Sequence, residues 1–549
     1  MRHTASKASL TLLALVFANA ILAQSGTAAA GSGSSWVIYT IMAIAVLVFF
    51  FIVVQVSDNL LAIEAKAAGV DTESNNLSLM PSWNELFQPK KPDHLADKQV
   101  TYLKQGHDIL LEGEAIPVID ESVHVATFAV QPTNFVGISP IPKMQVEVGA
   151  EVKAGDILFI DKKNPDWKWA APVSGEVIAV NRGAKRAIIE VVILADKEQT
   201  YREVPAMDID TVSRENLVSH LQEYGAWPMI RQRPFNVMAA SDDMPRDIFV
   251  STFDSAPLAA DQGLVVEGRE AAFQKGLDVL NKLTEGTVYL GLDARGDAQP
   301  HRAFTEASGV ETRWFHGKHP SGNVGVQIHH IHPIATSDKV WTLGVQEVIT
   351  LGSLFTEQRF NTERVVALTG AELKEAKYVR THLGANINDL LKGNVASNNV
   401  RYISGDVLSG QKKSTEQFLN FFDDQITVVE EGDDYELFGW LLPSFNTPSV
   451  SNTFPSAILP SSKFKANTNT HGEKRAFVVT GLYEEVLPMD IYPQNLFKSI
   501  LIGDFEQMEG LGLHELVEED VALCEFVCIS KQPIQEIVRR GLDMMREQS

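Results

Sequence analysis

Nineteen consecutive uncharged residues, 36–54 (WVIYTIMAIAVLVFFFIVV), constrain this 549-residue chain more than any other feature. At 1.5 Å of rise per residue a helix of that length covers about 29 Å, the hydrocarbon thickness of a bilayer. Trp36 and Tyr39 stand where interfacial aromatics anchor a spanning helix. The pattern predicts a transmembrane helix over residues 36–57. Ahead of it, Arg2 and Lys7 flank an apolar run at 10–23 that ends in small residues. This is the arrangement of a signal-like segment over 1–24, either cleaved after Ala23 or kept as a short anchor. A polar spacer, SGTAAAGSGSS, fills 25–35. Combined, the segments predict a single-pass N-terminal anchor with the main body cytoplasmic, although Lys66 competes with Asp58 and Glu64 for the positive-inside signal.

The rest of the chain has the texture of a folded protein: 45% apolar, 21% charged, and two cysteines, too few for a disulfide framework. Its net charge is 47 − 70 = −23 with no basic patch, which excludes nucleic acid as a partner. Residues 58–100 read as a polar approach segment. Over 101–200, β-branched runs broken by glycine and proline (HVATFAV, MQVEVG, GDILFID, SGEVIAV, RAIIEVVI) predict a folded-over β-sandwich. Strand-like and helix-like runs alternate over 201–355, with an amphipathic helix at 267–283 between the strands DIFVSTFD and TVYLGLD, so an α/β layer domain is expected there. A further mixed unit occupies 356–460, opening on VVALTG and including a helix-like VRTHLGANINDLL. The end, 461–549, is amphipathic and mostly helical.

Several constellations invite chemistry, each with a plainer alternative. His329, His330 and His332 in VQIHHIHPI, read as a strand, leave at most two histidines on one face and no acidic or cysteine partner, so ordinary surface histidines are favoured over a metal site. The loop KHPSGNVGVQ matches neither GxGxxG nor a phosphate loop. Cys524 and Cys528 share a helix face but are two short of an iron–sulfur cluster. Ser251, Asp254 and Ser255 suggest a nucleophile, but no histidine stands in an elbow or triad context. Lys162 and Lys163 sit at the hairpin where a biotin or lipoyl carrier would be modified, without the Met-Lys-Met signature. MIRQRPF places Arg231 and Arg233 in a short basic-aromatic patch, suited to a carboxylate, a headgroup or a surface turn.

The strings GDILFIDKKNPDWKWAAPVSGEVIAVNRGAKR, WPMIRQRPF, IFVSTFDSAPLA, HPSGNVGVQIHHIHPI, VVALTG, GEKRAFVVTGLYEEVLPMDIYP and LVEEDVALCEFVC occur in that order. Together, over roughly residues 100–549, they resemble the A subunit of the Na⁺-translocating NADH:quinone oxidoreductase. The C subunit of Rnf complexes is similar but carries four-cysteine motifs absent here. The resemblance implies a multidomain α+β protein: a barrel-sandwich hybrid (biotinyl- or lipoyl-like) domain, a Rossmann-like domain without its nucleotide fingerprint, a soluble-ligand-binding (SLBB) β-grasp domain and a helical end. It also implies an accessory subunit of a six-subunit translocase in the bacterial inner membrane, which oxidises NADH, reduces quinone to quinol and exports Na⁺. FAD, FMN, riboflavin and iron–sulfur clusters would reside on other subunits, with no redox cofactor here. The quinone-binding B subunit, in the membrane, would be the nearest partner. No residue is expected to be catalytic. A quinone needs an apolar slot with one or two donors, and Arg231, Arg233 and His330 are the expected quinone-facing side chains. The alternative is a free-standing ligand-binding protein built on the β-grasp unit.

Overall fold

The computed structural model describes residues 42–46, 48–50, 53, 57, 92–434, 438, 448–450, 456 and 463–548. They divide into two compact units, Met1–Lys91 and Pro92–Ser549. In the first, the described residues within 42–57 are helical, but among the described residues no helix is long and apolar enough to cross a membrane. A bilayer core needs about 20 consecutive apolar helical residues, and these stretches are shorter. The expectations that depended on such a span are corrected accordingly: the transmembrane helix at 36–57, the membrane-anchored variant of the family, the single-pass anchor in the inner membrane and the cytoplasmic body inferred from it. The signal-like segment, the spacer and the rest of that window lie outside the described residues, as does the approach segment up to Lys91.

In the second unit, β-branched and aromatic runs become the strands of an α/β layer. Five parallel strands lie in the order Val100–Tyr102, Glu311–His316, Val288–Asp293, Ile248–Ser251, Val340–Leu343, and the hairpin Arg231–Arg233 with Val237–Met238 extends the sheet antiparallel beside Val340–Leu343. The predicted amphipathic helix runs Glu270–Leu283 and buries Phe273, Leu277, Leu280 and Leu283, three or four residues apart on one face. It packs against the helix Val345–Thr356. A Cβ on Gly276 would come within 2.1 Å of the Val348 carbonyl oxygen, and one on Gly352 within 1.8 Å of that of Ala272, so the two backbones touch where neither carries a side chain.

A second module combines the four-stranded sheet Thr127–Val130, Ile188–Ala195, Gly175–Arg182, Glu151–Val152 with the three-stranded sheet Lys143–Met144, Ile157–Ile160, Lys168–Ala170. Phe159 stacks on Trp169 at 5.0 Å in its core. Lys162 and Lys163 are exposed at the following turn, which buried Asp161 holds by accepting from the amides of Ser139 and Asn164. The third module is a six-stranded mixed sheet, Gln411–Lys413, Val400–Ser404, Gln425–Glu430, Glu363–Thr369, Lys377–His382, Ile116–Asp120. The stretch preceding the sandwich therefore supplies one edge strand to the α/β sheet, at 100–102, and another to this sheet, at 116–120. The chain ends in the helices Leu482–Val486, Pro493–Ile502, Phe505–Gly510, Ala522–Val527 and Ile534–Gln548, around a core of their own that includes Phe497, Ile500 and Leu542.

Two local readings change. VRTHLGANINDLL is not one helix: Lys377–His382 is a strand, and the left-handed Gly384 turns the chain into the short helix Ile387–Leu391. VQIHHIHPI is not a strand, because Val324–Ile331 is helical with Val326 and Ile328 buried.

Candidate functional site

In a parallel sheet, ligands collect at the carboxyl ends of strands where the strand order reverses. Here the chain leaves Ile248–Ser251 toward Val288–Asp293 and Glu311–His316 on one side, then returns to place Val340–Leu343 on the other. At that crossing lies a cleft of about 220 Å³, bounded by Ser251, Phe253 and Asp254 after one strand and by Thr342 through Glu347 after the other. The hairpin contributes Arg231 and Arg233, the six-stranded sheet and its loops Arg364, Asp406, Phe422 and Asp424, and the helical end Glu519.

Half of the charged side chains in the wall are in ion pairs. Arg233, 1% exposed, donates through Nη1 to Asp520 at 2.7 Å and through Nη2 to Glu519 at 2.7 Å. Burial works against the Arg233 charge, but Asp520 and Glu519 outweigh it and hold the guanidinium protonated above its usual range. Gly325 makes this possible, since a Cβ there would lie 2.2 Å from Arg233 Nη1 and 2.4 Å from Asp520 Oδ2. Arg364 pairs with Glu347, both buried. Glu347 lies in the first turn of Val345–Thr356, its carboxylate so close over Gly344 that a Cβ would meet Oε2 at 2.3 Å. A helix N-terminus at a switch point is where a nucleotide phosphate would bind. This one is covered by the chain's own carboxylate.

Arg231 differs. Its guanidinium stacks over Phe422 at 4.8 Å, and among the described residues it has no carboxylate partner. Beside it a hollow of about 20 Å³ is lined by Asn134, Phe135, Asn236 and Met238. Asp254, Asp406 and Asp424 are also free of ion pairs among the described residues. Asp254 accepts from the Ala256 amide at 2.8 Å, Asp424 from Gln262 Nε2 at 2.7 Å, and Asp406 from the amides of Leu408 and Ser409. Surrounding protein and then Asp406 push the Asp254 carboxyl up to about 7 although its side chain reaches solvent through the cleft. Burial raises Asp424 to about 6.

Ser255 Oγ lies 3.1 Å from His319 Nδ1 and accepts from the Gly322 amide at 2.8 Å. Burial lowers His319 to about 4, which keeps it neutral. The serine faces Nδ1, and Nε2 has no partner, so no acid orients the ring as a hydrolytic triad requires. Nothing in the residues around Ser255 marks this pair; the one hint was the histidine opening the loop HPSGN.

Of the three expected quinone-facing residues, the structure brings Arg231 and Arg233 to the cleft and leaves His330 outside its lining. His330 Nε2 donates to the Pro488 carbonyl at 2.7 Å. His329 Nε2 accepts from the Asp490 amide, so its proton is on Nδ1 and is donated to Glu515 at 2.8 Å. His332 Nδ1 contacts Asp247 at 3.1 Å. The histidines therefore fasten three different segments. Among the described residues no group of three or more His, Cys, Asp or Glu could hold a metal ion. Cys528 Sγ accepts from Tyr483 Oη at 3.0 Å, and burial raises the thiol of Cys524 well above its ordinary range.

Residues 101–196 match the family profile described as the NqrA N-terminal barrel-sandwich hybrid domain, 212–360 the NqrA second alpha/beta domain, and 365–415 the NQRA C-terminal domain. The A subunit of the Na(+)-translocating NADH-quinone reductase of Alcanivorax borkumensis is 38% identical over 444 residues, covering 80% of this chain and 98% of that protein. The proteins of the same description from Psychromonas ingrahamii and Vibrio atlanticus are each 38% identical over 449 residues, covering 81% of this chain and 99% of theirs. Among solved structures, an NAD⁺-reducing [NiFe]-hydrogenase in the air-oxidised state aligns with a TM-score of 0.28 at 10% identity, over 42% of this chain and 52% of that one.

Proposed function

We propose a division of labour within the complex from the premise that this chain belongs to the A-subunit family of the Na⁺-translocating NADH-quinone reductase. It is an accessory component of that enzyme, which oxidises NADH, reduces quinone and moves Na⁺. The observation that carries this is the 38% identity running through nearly the whole length of the relatives. Its three sheet-built modules and helical end form one compact unit suited to holding partners. The redox groups FAD, FMN, riboflavin and iron–sulfur clusters belong, in this reading, to the other subunits, and the quinone-binding B subunit is its principal neighbour.

The quinone contact is assigned to Arg231. Arg233 is engaged by Asp520 and Glu519, and His330 by Pro488. Arg231 keeps donors free beside the apolar faces of Phe422, Phe135 and Met238, the combination a quinone carbonyl requires. Purification through a C-terminal tag in mild detergent, with mass spectrometry of the co-purifying chains and Na⁺-dependent NADH:quinone turnover, tests the assembly. A flavin-bearing, Na⁺-stimulated preparation is expected, and a solitary chain would overturn the reading. In that preparation Arg231→Ala is expected to raise KM for quinone about tenfold with kcat little changed, whereas an unchanged KM removes the residue from quinone contact.

A further inference from the structure

The helical end carries an apolar run that the fold leaves in the open. In AFVV, residues 476–479, Val478 is 54% and Val479 77% exposed, whereas Phe477 turns inward and stacks on Phe497 at 6.3 Å. Exposed Ile529 continues the patch, because the carbonyl of the next residue, Ser530, accepts from the Arg475 amide at 2.8 Å. Neighbouring exposed apolar side chains of this kind mark a contact surface.

The main chain is open as well. From Glu473 to Thr480 it runs without a turn or a bend. In an extended chain the N–H and C=O of one residue point to one edge and those of the next residue to the other. Arg475 uses both of its groups on one edge, donating to Ser530 and accepting from Gln532 Nε2. Ala476 and Val478 therefore present theirs on the opposite edge. Among the described residues, no backbone group of 476–479 has a hydrogen-bond partner.

An apolar strand edge with free donors and acceptors is a template for another strand. Hydrocarbon would leave those groups unsatisfied, which disfavours a lipid surface as the cover. A second copy would bring two chains of net charge −23 together. The ends of the run differ in sign: Lys474 and Arg475 precede it, Glu484 and Glu485 follow it, and all four are exposed without an ion pair among the described residues.

We propose that residues 475–480 receive an extended, apolar segment of a neighbouring subunit as an added β-strand, pairing with the outward main-chain groups of Ala476 and Val478. That segment carries an acidic residue at the Lys474 end and a basic one at the Glu484 end. The proposal rests on the reading of this chain as a subunit of the reductase.

Amide hydrogen exchange over 474–482 in the complex purified in mild detergent, compared with the isolated full-length chain, tests it. Exchange at Ala476 and Val478 is expected to slow by about a hundredfold or more in the complex. Val478→Pro, which removes one outward N–H, is expected to weaken assembly by about tenfold and to leave thermal unfolding of the isolated chain unchanged. Val478→Asp, expected to weaken assembly to a similar extent, serves where the proline variant fails to fold. A complete complex in which 476 and 478 exchange as fast as in the isolated chain overturns the proposal and leaves the subunit reading standing, whereas a chain that retains no other subunit overturns that reading. Assembly indifferent to the substitutions also overturns the proposal. So does protection in the isolated chain that rises with its own concentration, the mark of a second copy, or with added phosphatidylethanolamine–phosphatidylglycerol vesicles, the mark of a lipid surface.

Discussion

Arg231 and Arg233 stand two residues apart on one strand, yet one closes a seam and the other borders an open cleft. At the seam the chain supplies both signs of charge, and Asp520, Glu519 and Gly325 are shaped around a single guanidinium. At the cleft it supplies one sign in excess. The difference separates charge used for holding modules together from carboxyl groups without an ion pair among the described residues. Loss of a seam residue is therefore expected to cost stability, and loss of the cleft carboxylate Asp254 to add it.

The largest effect is expected for Arg233→Ala, which strands Asp520 in the interior and costs about 3–5 kcal/mol in chemical denaturation. Adding Asp520→Leu is expected to recover part of that loss. Recovery of nothing would show that packing, and not charge, holds the seam. Gly325→Ala presses a methyl group into the same ion pair and is expected to cost about 1–3 kcal/mol by the same measurement.

The cleft predicts the opposite sign. Asp254 has a folded pKa of about 7 against 3.8 unfolded, so the folded state holds the proton more tightly, and the residue subtracts stability as pH rises from about 4 through 7. Asp254→Asn is expected to raise stability at pH 8 by about 1 kcal/mol, allowing for solvent screening, and to leave it unchanged near pH 3.5. Destabilisation at pH 8 would mean the carboxylate has a structural role after all. The smallest effect is that of Arg231→Ala, which gives up a cation–π contact of about 0.5–1 kcal/mol and no ion pair.

Periodicity made the α/β layer legible. The strands at 248–251 and 288–293 and the helix ending at Leu283 follow from alternation and from the spacing of Phe273, Leu277 and Leu280. It misled at the histidine run, where Val324, Val326 and Ile328 alternate as a strand would, while the segment folds as a helix whose consecutive residues Gly325 to Ile328 are buried, Val326 in one core cluster and Ile328 in another. The cleft was half legible. Arg231, Arg233 and Asp254 drew attention as local motifs, but Asp406, Asp424 and His319 join them from distant positions, and no local pattern announces that. The ordered strings carried the family assignment. The uncharged run at 36–54, the strongest single hydropathy signal, supported an anchor that the described residues do not bear out.

The two edge strands that precede the sandwich have a consequence for how the chain is made. Val100 pairs in parallel with Trp314, and Ile116 with Lys377. Both strands leave the ribosome more than two hundred residues before their partners, so each waits without its neighbour while those residues are made. Cutting the chain at the boundary between sandwich and α/β layer would leave two later sheets with bare rims, ready to pair with another copy. The modules are separable on paper but mature as one body, and residues 100–120 stay unpaired until chain well beyond the sandwich has been made.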